Sequence, residues 1–316
     1  MLLRSRRDLL WHGWQERAID AAVRDGALRL IRRGWYMAGD EWDDLWPEGA
    51  HLAHVVAVAR DGGGGGVMSH LSAAVLWGLP VYRSQMARVH MTVPPAARIS
   101  SGPDVMRHSS PLDPGDIAMR HGIRCTSLLR TVFDVVRTTS PETAVACADA
   151  AERMMMLRGR EWDPDAREAW RRGMAELLDA AAGARGIRQA RRIAEFADGR
   201  AQLPGESVSR LQLVRLGFAT PDLQVRVAGP DDTDYFVDFA LREVRTLGEF
   251  DGVAKYTDEA LRRGIPLDAV LLAEKRREDW IRGVTQWRFV RWGDEHCATA
   301  GRLAARLASF GVVPPR

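Results

Sequence analysis

The chain has 316 residues, of which 46% are hydrophobic and 28% charged, and its formal net charge is +3 at pH 7. This length supports two or three domains with a sizeable core, and no apolar run is long enough to span a bilayer, so we expect no membrane partner. The first ten residues are too charged for a signal peptide. The isolated Cys125, Cys147 and Cys297 argue against a disulfide framework or a zinc knuckle. These widely spaced cysteines fit a reducing cytoplasm, where we expect the protein to act.

The first 48 residues predict a helix, a turn, a second helix and a β hairpin. Gln15–Arg24 has alanines at helical spacing, and Ala27–Tyr36 is typical of a short basic element that runs into a hairpin. Arg29, Arg32 and Arg33 are candidate DNA contacts, because the guanidinium fork suits phosphate and guanine. The alternative is that these arginines lie on a solvated face.

Residues 49–184 predict a middle α/β domain with a helical extension. Ser69 is typical of a helix N-cap, and the apolar helix that follows ends at Gly78. Val89–Val93 alternates like a strand, and Leu128–Arg137 has apolar residues at helical spacing. The preceding DGGGGG run lacks the Lys-Ser/Thr of a phosphate-binding loop, so we expect a flexible loop there.

Ser69, His70 and Asp134 are the residue types of a hydrolase triad. Ser69 lacks the GxSxG elbow, however, and nothing in the sequence brings the three residues together. We therefore expect His70 to be a packed histidine that is hydrogen-bonded to the backbone.

The order of several segments resembles that of actinobacterial proteins of the AbiEi antitoxin type. These segments are RRGWY at 32–36, SHLSAAVLWGLPV at 69–81, VHMTVP at 89–94 and GIRCTSLLRTVFDVV at 122–136. The resemblance covers the first module and most of Val67–Asp149. It implies a winged-helix module at residues 1–48 that places its second helix in the DNA major groove, and a toxin as partner. A module that no longer binds DNA is the alternative.

The stretch after Trp162 predicts exposed helices up to Gly199. Its second arginine cluster, Arg188, Arg191 and Arg192, is a further candidate DNA surface or a solvated helix face. The third predicted domain covers residues 185–316.

The third domain places polar residues at regular points of its predicted elements. A helix at 205–218 is followed by strands at 223–227, 235–241 and 246–250, and later by a helix at 273–282 and a strand at 287–292. The polar residues of interest are Glu206 in the first helix, Gln224, Asp238 and Glu249 on the successive strands, and Lys255 beyond them.

The apolar frame of Asp238 predicts a bound cation or an ion pair. A carboxylate between valine and phenylalanine on a core strand is costly to bury without a partner. If the strands pair, Asp238 and Glu249 emerge on one side of the sheet and share Mg²⁺ or Mn²⁺, whose bound water attacks a phosphodiester. The alternative is a structural salt-bridge network with Lys255 and Arg277.

The series GESVSRLQLVRLGF, LQVRV, YFVDFAL and LGEFDGVAKY resembles the PD-(D/E)XK nuclease superfamily, and most of all its very-short-patch-repair-like endonucleases. The resemblance implies a restriction-endonuclease-like α/β sandwich whose metal ligands are Glu206, Asp238 and Glu249. The superfamily lysine is replaced by Asp251 in this chain. Lys255 and Gln224 are the candidates for its catalytic role, and if neither reaches the site the domain cuts nothing.

The leading hypothesis is therefore a mixed α+β protein that acts as a magnesium-dependent DNA endonuclease, tethered to DNA by its first module. Arg277 is a candidate phosphate contact, and a homodimer is a further expectation because such enzymes often cut both strands as dimers. The competing hypothesis is an AbiEi-like antitoxin or repressor with a silent nuclease fold. An enzyme acting on a small phosphate ester is a third alternative.

Overall fold

The computed structural model of the chain describes residues 3–62, 65–97, 100–159, 161–230, 232–252 and 267–315. Its helices and sheets form a mixed α+β fold, which confirms the predicted fold class. Among the described helices, none combines the length and the apolar character needed to cross a membrane.

The described elements alternate between helices and short strands along the chain. The helices are α1 (Arg6–Trp11), α2 (Glu16–Arg24), α3 (Gly39–Asp43), α4 (Pro47–Arg60), α5 (His70–Trp77), α6 (Leu128–Thr138), α7 (Pro141–Met156), α8 (Pro164–Ala180), α9 (Ile187–Phe196), α10 (Pro204–Arg215), α11 (Leu267–Thr285), α12 (Asp294–Cys297) and α13 (Ala300–Ala308). The strands are β1 (Arg4–Ser5), β2 (Leu28–Arg32), β3 (Trp35–Ala38), β4 (Val67–Met68), β5 (Val89–Val93), β6 (Val105–Ser109), β7 (Ile117–Arg120), β8 (Ile123–Thr126), β9 (Leu157–Arg158), β10 (Glu161–Trp162), β11 (Asp222–Ala228), β12 (Asp234–Leu241), β13 (Thr246–Phe250) and β14 (Arg288–Trp292).

The chain divides into two compact units. Unit 1 consists of Met1–Cys147 and Pro164–Glu195, and unit 2 consists of Ala148–Asp163 and Phe196–Arg316. The longer segment of unit 2 begins at Phe196, after the predicted boundary at residue 185, and its shorter segment, Ala148–Asp163, lies within the range predicted for the middle domain. The separate ranges 1–48 and 49–184 stay a prediction.

Unit 1 opens with two short helices and a three-stranded sheet in the order β1-β3-β2. A capping box starts α1, in which the Asp8 amide donates to the Ser5 hydroxyl and the Ser5 amide donates to the Asp8 carboxylate, both at 3.1 Å. Strands β2 and β3 form a hairpin around Gly34, whose φ of +83° suits glycine. A small core holds these pieces together, made of Leu9, Ile19, Leu28 and Tyr36.

The rest of unit 1 is built on a five-stranded sheet in the order β6-β5-β4-β8-β7. Strand β5 pairs antiparallel with β4 and parallel with β6. The predicted strand at 89–93 and the predicted helix at 128–137 are both present, as β5 and α6. The main core cluster beside the sheet consists of Val55, Val58, Met68, Ala73, Leu76, Val89, Met91, Val105 and Cys125.

Unit 2 is built on a four-stranded sheet in the order β11-β12-β13-β14. The first three strands are antiparallel, and β14 returns parallel to β13 after α11, as a parallel pair requires a crossover. In this register Phe239 pairs with Gly248, and Glu249 pairs with Arg291. The strands predicted at 235–241, 246–250 and 287–292 correspond to β12, β13 and β14.

Helices cover both faces of the unit 2 sheet. On the α10 side, the Trp292 indole donates to the Ser209 hydroxyl at 2.8 Å and stacks on Phe239 with ring centroids 5.3 Å apart. Gly248 is required there, because a Cβ would lie 2.3 Å from the Trp292 ring. The cluster on the α11 side consists of Val227, Val237, Ala240, Leu247, Ile281 and Phe289.

Candidate active site

Unit 2 contains a cavity of about 680 Å³ whose lining is mostly polar. Four of the residues singled out from the sequence line it, namely Gln224, Asp238, Glu249 and Arg277. The other lining residues are Arg153, Leu157, Gly159, Trp162, Arg200, Gln202, Leu223, Phe236 and Glu274. This cavity is therefore the candidate active site.

Asp238 is held by both strands that flank β12. Its Oδ2 accepts a hydrogen bond from the Phe250 amide at 2.9 Å, and its Oδ1 accepts one from the Gln224 side-chain amide at 3.2 Å. Asp238 and Glu249 both line the cavity, and the charge of Asp238 acts on Glu249. Strands β12 and β13 pair as expected, and the two acids that they carry lie at the same cavity.

Glu249 is buried, with 6% of its surface exposed, and both of its carboxylate oxygens meet arginines. Arg277 Nη1 lies 2.6 Å from Oε1, and Arg291 Nη2 lies 3.0 Å from Oε2. Burial raises the pKa of Glu249 above its ordinary value, the charge of Asp238 adds to this increase, and the two arginines oppose it. The two arginines favour the ionised carboxylate.

Arg291 lies within 4 Å of three further acidic side chains. It lies 3.2 Å from Glu274 and 3.3 Å from Glu278, both on α11, and 3.8 Å from Asp251. A salt-bridge network around the acids is therefore present, and it contains Arg277, which we expected, and Arg291, which we did not. Lys255 lies outside the described residues, so its predicted role stays a prediction.

Gln224 interrupts the regular geometry of β11. Its φ of +50° lies in the left-handed region, which non-glycine residues adopt at a cost of about 1–3 kcal/mol. Its side-chain oxygen accepts a hydrogen bond from Gln202 at 2.9 Å while its amide donates to Asp238. The irregular backbone thus places Gln224 between a loop and the acid that it orients.

Glu206 contacts Gln202, which in turn bonds to Gln224, but it is not among the described residues that line the cavity. It is buried in the first turn of α10, and its Oε2 accepts a hydrogen bond from the Gln202 amide at 2.8 Å. Within the described ranges, Glu206, Asp238 and Glu249 do not form a group of three with oxygens within 4.8 Å of one another. The structure brings Asp238 and Glu249 together and leaves Glu206 in a supporting position.

Several lining residues were missed by the sequence analysis. Arg153 comes from the end of α7, and Arg200, which pairs with Asp198 at 2.6 Å, comes from the loop before α10. Trp162 and Phe236 are 40% and 45% exposed. Nothing local marks Arg153 or Trp162, because only the packing of residues 148–163 into unit 2 brings them to the cavity. The sequence could have predicted Glu274 as a lining residue, because it lies three residues before Arg277 and therefore on the same helix face.

The arginines predicted to bind DNA in the first module differ in their surroundings. Arg32 is tied to two acids, with Asp61 at 2.8 Å and Asp104 at 3.1 Å, so its charge is compensated within unit 1. Arg29 is exposed and its guanidinium lies 5.7 Å from the centre of the Trp42 ring. Arg33 is exposed at the hairpin turn. The second cluster lies on α9, where Arg188 and Arg192 are exposed and Arg191 pairs with Asp179 at 3.1 Å.

The structure also brings Ser69, His70 and Asp134 together, which the sequence did not predict. The Ser69 hydroxyl lies 3.0 Å and the Asp134 Oδ2 4.0 Å from the same atom, His70 Nδ1. A hydrolase triad needs serine at one ring nitrogen and the acid at the other. This arrangement therefore does not form a triad, and His70 is bonded to a side chain rather than to the backbone as expected.

Comparison with known proteins places relatives of this chain in mycobacteria. No family model matches the chain. Uncharacterized protein MT2308 of Mycobacterium tuberculosis (strain CDC 1551 / Oshkosh) and uncharacterized protein Rv2248 of Mycobacterium tuberculosis (strain ATCC 25618 / H37Rv) are each 27% identical to it over 300 residues. Each alignment covers 92% of this chain and 94% of the relative, so the similarity extends over both units.

Proposed function

We propose that unit 2 is a metal-dependent endonuclease that hydrolyses phosphodiester bonds in DNA, with Asp238 and Glu249 as its metal-binding acids. The observation that carries the proposal is the meeting of these two strand-borne carboxylates at one cavity, beside Gln224 and Arg277. A buried carboxylate is costly without a cation beside it. Arginines supply that cation to Glu249, and in the proposed function a metal ion would replace one of them.

The cavity carries the donor types that a hard divalent cation takes, and two of the three acids predicted as ligands are brought together there among the described residues. Carboxylate oxygens of Asp238, Glu249 and Glu274 and the amide of Gln224 are the donors that Mg²⁺ prefers, with waters completing its octahedral shell. Asp238 and Glu249 would hold the ion. When bound, Mg²⁺ or Mn²⁺ supplies a water of lowered pKa and neutralises charge on the phosphoryl oxygens.

Arg277 has two tasks in this proposal. It shields Glu249 by pairing with Oε1, and it donates from Nη2 to the Phe236 carbonyl at 2.6 Å, which fixes it at the cavity. With a cation held at Glu249, the Arg277 guanidinium would be available to a phosphate oxygen, where a planar fork binds well. Arg277 thereby supplies the positive charge that the superfamily lysine, replaced here by Asp251, would provide.

The rest of the lining suits a nucleic-acid strand. Arg153 and Arg200 add positive charge for the phosphate backbone, and Trp162 and Phe236 offer exposed aromatic faces on which bases stack. In unit 1, the exposed Arg29 and Arg33 are the proposed backbone contacts of the hairpin. These features favour a polymeric substrate over a small phosphate ester.

A second candidate function rests on the doubly paired Glu249. With one arginine on each of its oxygens, Glu249 has the contacts of a structural acid, and Asp251 stands where a catalytic lysine is expected. In this candidate the chain is an AbiEi-like antitoxin or repressor that binds DNA through unit 1, acts with a toxin and cuts nothing.

The two candidates differ in cleavage and agree in binding. The tag-free full chain is incubated with supercoiled plasmid, linear duplex and single-stranded DNA in Mg²⁺ or Mn²⁺. We expect cleavage that falls by about 100-fold or more in Asp238→Asn and Glu249→Gln, because each removes a metal ligand. Glu295→Gln is the matched control, since that acid is 80% exposed and outside the described cavity lining.

The same preparations are tested for DNA binding by mobility shift. A wild type that cuts none of the three substrates with either metal, yet shifts duplex DNA as well as the two acid variants do, would support the repressor and end the nuclease proposal. Cleavage that survives in both variants would also end it, because the activity would then come from a contaminant or from another site.

A further inference from the structure

Three histidines meet in unit 1, in a region that plays no part in the proposed cleavage. His70 is the first residue of α5, His90 lies on β5 and His108 lies on β6. The ring centroids are 3.7 Å apart for His70 and His108, 5.1 Å for His90 and His108, and 5.7 Å for His70 and His90. One ring nitrogen from each lies within 4.8 Å of the other two.

The sheet register explains why two of these side chains face each other. In the parallel ladder of β5 and β6, His90 pairs with Met106 and Thr92 pairs with His108. Residues two apart on a strand share a face, so His90 and His108 emerge on the same side of the sheet. His90 Nδ1 lies 3.0 Å from His108 Nε2.

The third histidine is held over this face by backbone contacts. The Ser69 amide donates to the His90 carbonyl at 3.0 Å, and the His90 amide donates to the Ser72 hydroxyl at 2.8 Å. His70 itself has a φ of +52°, a strained value for a residue with a side chain and one that recurs at binding sites.

A buried carboxylate supplies a second and independent sign of a ligand. Asp134 is 4% exposed, and its Oδ2, 4.0 Å from His70 Nδ1, has no hydrogen-bond partner among the described residues. Its Oδ1 accepts from Arg130 Nε at 3.3 Å. Metal-binding histidines commonly have a carboxylate or hydroxyl at the ring nitrogen that does not bind the metal, and His70 Nδ1 has both Asp134 and Ser69 nearby.

We propose that His70, His90 and His108 bind one divalent transition-metal ion of the zinc class, each through one ring nitrogen, with Asp134 orienting His70. Three imidazoles around zinc place their nitrogens about 3.4 Å apart. The His90–His108 nitrogen pair at 3.0 Å would therefore open slightly on metal binding, while pairs nearer the 4.8 Å bound would close. Nitrogen donors select zinc, cobalt, nickel or copper over magnesium. The site leaves a fourth position for water or an anion, as open zinc sites do.

The protonation state of the rings agrees with this assignment. Burial lowers the pKa of His90 to about 4 and also lowers the pKa values of His70 and His108, and the neighbouring rings add to the effect on His70 and His90. The imidazoles are therefore neutral near pH 7, which is the form that binds metals.

The test uses tag-free full-length protein that has been treated with a chelator and is then titrated with Co²⁺ and Zn²⁺. We expect one equivalent of Co²⁺ to give the visible absorption of a tetrahedral site, to be displaced by Zn²⁺ and to be unaffected by excess Mg²⁺. His90→Ala and His108→Ala should abolish the spectrum, and Asp134→Asn should weaken binding by about 10–100-fold. His12→Ala, at an exposed position in unit 1, is the matched control.

Far-UV circular dichroism and thermal melting of each variant separate a lost ligand from a lost fold. A wild type without saturable binding at one equivalent would overturn the proposal, and so would unchanged affinity in the folded double variant His90→Ala/His108→Ala. The result is independent of the nuclease proposal, because plasmid cleavage by His108→Ala is expected to match that of the wild type.

Discussion

Arg210 and Asp149, 61 positions apart in the chain, form an ion pair that is almost completely buried in unit 2. Arg210 Nη2 lies 2.9 Å from Oδ1 and 2.8 Å from Oδ2, and the two side chains are 2% and 1% exposed. Arg210 Nη1 also donates to the Phe196 carbonyl at 2.7 Å. The pair ties the segment 148–163, which brings Arg153 and Trp162 to the cavity, to helix α10.

Removing one partner of this pair should destabilise unit 2 strongly. In Arg210→Ala the Asp149 carboxylate stays buried without its cation, which costs about 3–5 kcal/mol. Urea unfolding measures the change. The matched control is Arg191→Ala, whose pair with Asp179 is 52% and 79% exposed and should cost less than about 1 kcal/mol. Equal losses in the two variants would show that Asp149 is not desolvated as described.

Replacing Arg277 should separate metal binding from cleavage. In Arg277→Gln the Glu249 Oε1 loses its competing cation, so we expect Mn²⁺ to bind about tenfold more tightly, equivalent to about 1.4 kcal/mol. Cleavage should nevertheless fall, because the phosphate contact is lost. Calorimetric Mn²⁺ titration and a plasmid assay measure the two effects. Arg282→Gln on the same helix, an arginine that pairs with Glu278 at 2.7 Å, should change neither.

Truncating Phe236 should weaken the binding of single-stranded DNA. Its ring is 45% exposed at the cavity, and stacking of a base on an aromatic side chain contributes about 1–3 kcal/mol. Phe236→Ala should therefore raise the dissociation constant for a fluorescent oligonucleotide by about fivefold or more, measured by anisotropy in EDTA. Phe310→Ala is the control, since Phe310 is 40% exposed and outside the described lining. If both variants bind like the wild type, the strand does not use this surface.

His51 should make unit 1 less stable in acid. Burial lowers the pKa of His51 from 6.5 to about 4, and its Nε2 lies 2.8 Å from the Ser72 hydroxyl. The unfolded chain takes up a proton at this residue between pH 6.5 and 4 while the folded chain does not, so stability falls with falling pH across that window by about 1.4 kcal/mol per pH unit.

The measurement compares urea unfolding of the wild type and His51→Gln at pH 7, 6 and 5. Above pH 6.5 the imidazole is neutral in both states, so the contribution to pH dependence vanishes there. The variant should show the shallower decline in acid, by the equivalent of one proton. Parallel declines in the two proteins would mean that His51 is protonated in the folded state.

Much of the local structure was readable in the sequence. Alternation and helical spacing depend only on neighbours along the chain, and they located β12 and β13 within a residue or two of their ends, as well as α10 and α6. The apolar residues that flank Asp238 on its predicted strand also indicated that its carboxylate needs a hydrogen-bonding or cationic partner. The helix Pro47–Arg60 was not predicted, since its apolar residues are not confined to one face.

The tertiary structure decided which side chains meet. The pairing of β13 with β14 set Glu249 beside Arg291, and the folded sheet brought Asp238 and Glu249 to one cavity. Glu206 instead accepts a hydrogen bond from the Gln202 backbone amide. No local sequence pattern predicted the packing of residues 148–163 into unit 2. The same is true of the pairing of β5 with β6, which brings His90 and His108 together. Sequence patterns record how each segment buries its own surface, and contacts between distant segments depend on strand order and register, which only the folded chain specifies.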